Sequence, residues 1–139
     1  MKVALIYLLD TSVYSQPLKP VPSASVVSRW QALGDAPLAI SVIVEAEVRY
    51  GLALKGSTRL YAAYEALLRG RLSVLLVDQA VGEMFAEMKA IQQRVGKPVA
   101  DLDLLMAATA RAHELIIVTL NVRHFALIAD IEVEDWSLP

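Results

Sequence analysis

Apolar residues in this chain fall into short unbroken runs, separated by longer stretches in which they recur every three or four positions. Val3 to Leu9 is a run of seven closed by Asp10, the form of a strand buried on both faces of a parallel sheet. Leu38 to Ile40, Leu72 to Val77 and Leu115 to Thr119 read as further strands, the last rich in β-branched residues, and Ile131 to Val133 as a short final one. Between them, Gln16 to Ser23 carries Pro17, Pro20 and Pro22 and reads as a loop. A helix is expected from about Ser23 to Leu33, ending at Gly34. Ser41 caps a second that ends at Gly56, Ser57 caps a third that stops near Gly70, and Asp78 caps a long fourth running to Gly96. After Lys97 and Pro98, Asp101 to His113 is helical. The alternation predicts an α/β fold: a parallel sheet of four to five strands flanked by helices.

The 139 residues suit one domain, taken as 1–139, and an apolar share of 56% predicts a well-filled core. No apolar run approaches the roughly 18 residues of a membrane span, and the first run ends in an acid rather than a cleavage site. The chain therefore reads as soluble and cytoplasmic, with no membrane partner. The absence of cysteine excludes disulfides, thiolate metal sites and Cys nucleophiles, which leaves oxygen and imidazole groups for any metal chemistry. Thirteen Lys and Arg against fifteen Asp and Glu give 13 − 15 = −2, too little positive charge for tight, indiscriminate coating of nucleic acid.

In open α/β sheets, ligands bind beyond the carboxyl ends of the strands. Those places carry Asp10, Thr11 and Ser12 after the first strand, and Glu45 and Glu47 on the helix after the second. Asp101 and Asp103 open the helix before the fourth strand, and Thr119, Asn121 and His124 follow that strand. Asp78 ends an apolar run just as Asp10 does, so helix capping and a role in a site stand level for Asp10. Glu45 and Glu47 lie about 200° apart around a helix, so only one can point inward. Glu45 sits four residues before Arg49 on a polar face, whereas Glu47 shares a stripe with Ile43, Tyr50, Gly51 and Leu54. Glu47 is thus expected inside, on an apolar face. Asp103 aligns with the small-residue face of Met106, Ala107 and Ala110, while Asp101 sits where a cap belongs. Together, Asp10, Glu47 and Asp103 describe a carboxylate cluster at the top of the sheet. Such a cluster must share protons or hold a hard cation, for which Mg²⁺ or Mn²⁺ is the natural choice, and it suits hydrolysis of a phosphodiester. Thr11 and Ser12 can orient the first carboxylate, and Asn121 can supply a neutral ligand or donor.

Leu8-Leu9-Asp10-Thr11-Ser12, Glu47-Val48-Arg49-Tyr50-Gly51, Asp103-Leu104-Leu105-Met106-Ala107-Ala108-Thr109-Ala110, Val118-Thr119-Leu120-Asn121-Val122-Arg123-His124-Phe125 and Val133-Glu134-Asp135-Trp136 resemble, in that order, the motifs of PIN-domain ribonucleases of the VapC toxin type. The resemblance implies a Mg²⁺- or Mn²⁺-dependent endoribonuclease that acts as a homodimer on an RNA substrate. It also implies a small VapB-type antitoxin that silences it. The implied catalytic residues are Asp10, Glu47 and Asp103, with the metal on Asp10 and Asp103 and with Thr11, Ser12, Thr119 and Asn121 in support. One departure stands out: His124 occupies the place before the Phe where the family often has Asp. That leaves the number of metal ions open, and Asp101 and His124 unassigned. A catalytically inactive PIN-fold module that binds RNA or protein is the alternative. Lys19, Lys55, Arg59, Arg69, Arg71, Arg94, Lys97 and Arg123 are the basic groups from which RNA contacts must come. Trp30, Tyr50 and Leu54 are candidate anchors for a partner helix, with core packing an equal claim on the same residues.

Overall fold

The computed structural model describes residues 4–139. Five parallel strands, β1 (Tyr7–Leu9), β2 (Leu38–Ser41), β3 (Ser73–Leu75), β4 (Ile116–Thr119) and β5 (Val133–Asp135), make one sheet in the order β3-β2-β1-β4-β5. Six helices connect them: α1 (Thr11–Tyr14), α2 (Ala24–Leu33), α3 (Val42–Lys55), α4 (Thr58–Leu67), α5 (Gln79–Arg94) and α6 (Asp101–Ala112). The expected α/β architecture is present, with five strands. β1 lies at the centre, Tyr7 pairing with Leu38 on one side and Ile116 on the other. Leu8, Leu9, Leu38, Ala39, Ile40, Ile117 and Val118 are all buried in this central part of the sheet, as a parallel sheet covered on both faces requires. Among the described residues, no helix is long and apolar enough to cross a membrane.

Four helices begin as the sequence indicates. The side chains of Ser23, Ser41, Ser57 and Asp78 accept from the backbone N–H of Val26, Ile43, Leu60 and Val81, relieving the orphan donors of the first turn. Gly56 ends α3 at φ 61°, a left-handed conformation that costs glycine little.

Elsewhere the boundaries move. β1 starts at Tyr7; Val3 lies outside the described residues, although the Ile6 carbonyl still accepts from Ile116 N–H at 2.9 Å. Leu76 and Val77 leave the sheet after Leu75 and are exposed. β5 runs from Val133 to Asp135 rather than stopping at Val133, because its register sets Val133 against Ile117 and Asp135 against Thr119. The proline-bearing segment opens with a 3-10 turn at Gln16–Leu18, in which Pro17 occupies a place that needs no N–H donor. Helix α1 and a second 3-10 turn, Val122–His124, were not anticipated.

Two aromatic residues close the core. Trp136 is buried and meets Tyr7 edge-on at 5.8 Å between ring centres. Trp30 is also buried, at 4% exposure, with its indole N–H donated to Asp35 at 2.7 Å and the Arg71 guanidinium over its ring at 4.6 Å. Of the two readings open to it, Trp30 is therefore a packing residue and not a surface anchor. Tyr50 and Leu54 do stand out, at 67% and 72% exposure. Buried Gln92 braces the far side of the fold: its Nε2 donates to the carbonyls of Lys97 at 2.9 Å and Leu127 at 2.8 Å, and its Oε1 accepts from Ala129 N–H. It joins the end of α5 to the approach to α6 and to the loop beyond His124.

Candidate active site

Asp10 follows the central strand and is 8% exposed. Its Oδ1 accepts from Val13 N–H at 3.3 Å, capping α1, and from the Ser12 hydroxyl at 2.5 Å. Its Oδ2 accepts from the Thr119 hydroxyl at 2.5 Å. Both hydroxyls are themselves held from behind, Ser12 Oγ by Leu120 N–H at 3.0 Å and Thr119 Oγ1 by Asn121 N–H at 2.9 Å. Two parallel relays therefore run from the backbone after β4, through one hydroxyl each, to the two oxygens of one carboxylate. Capping and site geometry, level in the sequence, are both satisfied by Asp10. Asp78 caps alone.

Glu47 reaches the same place from α3, where its Oε1 accepts from the Thr11 hydroxyl at 3.3 Å. The helix faces are not the ones expected. Val44, Val48 and Leu52 form the buried stripe of α3, and the stripe of Glu47, Tyr50 and Leu54 is exposed. Glu47 is thus an acid on a solvent-facing side of the helix that borders a cleft, not an acid sunk in the core. Glu45 makes the surface pair with Arg49 at 4.0 Å that the spacing indicates. Asp103 projects from the first turn of α6 and is half-buried. Asp101 points elsewhere: it pairs with Lys89 at 3.0 Å, and Ala100 stands at the cap position with no side-chain bond. The structure separates Asp101 from the site.

Asp10, Thr11, Ser12, Glu47, Asp103, Asn121 and His124 line one cleft of about 390 Å³ at the carboxyl ends of the strands, where an open α/β sheet binds its ligands. Thr119 is buried behind Asp10. Asn121 and His124 line it together, Asn121 Nδ2 and His124 Nε2 lying 2.9 Å apart. Ser15 and Lys19 also line the cleft. Ser15 was missed because α1 was; in a helix starting at Thr11 it falls on the same face four residues on. A larger cavity of about 550 Å³ opens at the other end of the strands, beside Ile6, Ile116 and Asp130, and contains none of these residues.

The acids feel one another. The Glu47 carboxyl is pushed above its ordinary range by partial burial and by the charges of Asp103 and Asp10, against the opposing hydrogen bond from Thr11. Asp103 is likewise raised by burial and by Asp10, with His124 acting the other way. Repelling carboxylates of this kind favour a cation. Among the described residues no three of the Asp, Glu and His side chains are close enough to cage an ion directly. Mg²⁺, which keeps several waters and takes one or two carboxylates, needs no such cage. The carboxylates fit it: Asp10 is held in one orientation, and Glu47 and Asp103 line the same cleft.

The family described as PIN domain matches residues 7–131. Toxin FitB of Neisseria gonorrhoeae is 34% identical over 134 residues, covering 91% of this chain and 94% of its own. The tRNA(fMet)-specific endonuclease VapC of Shigella flexneri is 32% identical over 133 residues, covering 96% and 99%. Among solved structures, DNA-bound VapBC from Salmonella typhimurium superposes with a TM-score of 0.83 at 31% identity, over 95% of this chain and 98% of that one.

Proposed function

Because this chain belongs to the PIN-domain family, we propose that it is a divalent-metal-dependent endoribonuclease, the toxin of a VapBC-type toxin–antitoxin pair, with all of residues 1–139 as its PIN domain. The observation that carries the reading is the convergence of Asp10, Glu47 and Asp103 on one cleft from β1, α3 and α6. It is supported by relatives named as a toxin and as an endonuclease that match nearly the whole chain.

Asp10 and Asp103 would hold Mg²⁺ or Mn²⁺, which when bound supplies positive charge at the phosphoryl oxygens and activates water. Ser12 and Thr119 keep the Asp10 carboxylate in one orientation. Glu47, with its raised proton affinity and the Thr11 bond to fix it, is placed to take the proton of the attacking water. Asn121 and His124, which line the same cleft as the acids, would donate to phosphate oxygens, which gives His124 a role that an acid at that position cannot fill. The proposed partners are an RNA substrate, a small VapB-type antitoxin and a second copy of the chain.

RNA cleavage by the purified protein tests the reading. Cutting is expected only with Mg²⁺ or Mn²⁺, and Asp10→Asn or Asp103→Asn should abolish it with the fold intact. Cutting in excess chelator, or unchanged cutting by either variant, would sink it; metal-dependent RNA binding without cleavage would favour the inert module.

A further inference from the structure

A second depression of about 310 Å³ adjoins the acidic cleft, and Thr11, Ser15, Lys19 and Glu47 line both, so the two are one continuous trough. The second part differs in chemistry. Its floor is apolar, made by Leu18, Val48, Leu52 and Leu60 around Gly51, and its rim carries Lys19 and Lys55. Both lysines are exposed, and neither has an ion-pair partner among the described residues. Arg29, Arg49, Arg69, Arg71 and Lys89 each face an acid. Among the described residues, Lys19 is the only Lys or Arg lining the cleft that holds the three carboxylates.

We propose that this trough holds one unpaired nucleotide beside the scissile bond, with Lys19 and Lys55 on the flanking phosphates and the base against the apolar floor; this rests on the nuclease reading above. Charge complementarity favours a polyanion here. The acids repel the RNA backbone, whereas Lys19 and Lys55 stand on the rim of the part of the trough that carries one acid, Glu47. The volume is near the lower end of the roughly 300–1,000 Å³ of small-ligand pockets, a fit for a single nucleoside. A base can reach the floor only out of its stack, so the trough selects single-stranded segments. The floor offers no side-chain donors or acceptors, so it accepts any base.

Gly51 provides a plug. A Cβ added there meets nothing within 4 Å, and its φ is ordinary, so Gly51→Leu fills the trough without straining α3. The test is binding of a short, fluorescently labelled, unpaired RNA by anisotropy, with Ca²⁺ in place of Mg²⁺ to suppress cutting. Lys19→Gln and Lys55→Gln should each weaken binding roughly 3- to 10-fold and reduce the slope of log K against log salt by about 0.7. Gly51→Leu should weaken binding with the slope retained, and should leave binding of the same sequence as a duplex unchanged. Unaltered affinity and slope in Lys55→Gln and Gly51→Leu would overturn the proposal. So would unaltered RNA affinity with lost binding of the antitoxin, which would make the trough a protein-docking surface. Cleavage by the wild type is scored separately: its absence alongside the expected binding pattern sinks the nuclease reading, whereas cleavage without that pattern sinks the trough.

Discussion

The Thr119 hydroxyl lies 2.5 Å from Oδ2 of Asp10, a residue 109 positions away in sequence, and Thr119 Oγ1 itself accepts the backbone N–H of Asn121 at 2.9 Å. Thr119→Val keeps the shape but leaves both partners unsatisfied in a buried place. Urea denaturation should show a loss of about 1–3 kcal/mol, and nuclease activity should fall roughly 10- to 100-fold. Thr119→Ser, which keeps the hydroxyl, should restore most of both. Equal loss in the two variants would mean that the methyl group, not the relay, matters.

The raised proton affinity of Asp103 fixes the sign of a stability effect. A carboxyl whose folded-state value lies above its unfolded value binds more protons when folded, so the folded state loses stability as pH rises from the ordinary aspartate range through the raised value. Above that range the ionised group is a standing penalty. Metal-free Asp103→Asn should therefore melt higher than the wild type at neutral pH, and the difference should close in acid below the ordinary carboxylate range. Mg²⁺ should raise the melting temperature of the wild type and do little for the variant. Thermal scans across pH, with and without Mg²⁺, read all of this.

Trp30 and the Tyr50–Leu54 pair should separate in their effects. Trp30→Ala removes a buried aromatic and the ring beneath the Arg71 guanidinium, an expected loss of about 3–5 kcal/mol. Tyr50→Ser with Leu54→Ser changes only exposed side chains, within about 0.5 kcal/mol per site, yet should weaken capture of the antitoxin if the partner helix docks on α3. Denaturation curves and calorimetric titration with the antitoxin check the two halves.

Gln92→Leu would leave the Lys97 and Leu127 carbonyls without their amide donor. An unfolding free energy lower by about 1–3 kcal/mol is expected. Hydrogen exchange should quicken in residues 125–129 more than in β2.

The sheet was legible because its strands are uninterrupted apolar runs, and four of the helices because Ser or Asp announces each start. Helix α1 was not, since four residues carry no period; what makes it is the Asp10 cap, and a cap without a helix pattern looks like any acid after a strand. The faces of α3 show a different limit. Ile43, Tyr50 and Leu54 make one apolar stripe and Val44, Val48 and Leu52 another, and only the position of the sheet decides which is buried. For that reason Glu47, expected on a buried face, stands exposed at the edge of the cleft. Asp101 and Asp103 were separable by helix face, but the Lys89 that draws Asp101 away comes from α5, a contact that spacing does not reveal.

The β1–β4 ladder has a consequence in time. Tyr7 pairs with Ile116 and Leu8 with Ile117, each pair 109 residues apart, and the relays that orient Asp10 come from beyond β4. At about 5–20 residues per second, a ribosome takes roughly 5–20 s to travel from Asp10 to Thr119. Throughout that interval the nascent chain carries its first carboxylate without Thr119, Leu120 and Asn121, which complete the two relays. A destructive activity built this way stays dormant while it is being made, leaving its neutraliser time to arrive before the last strands pair.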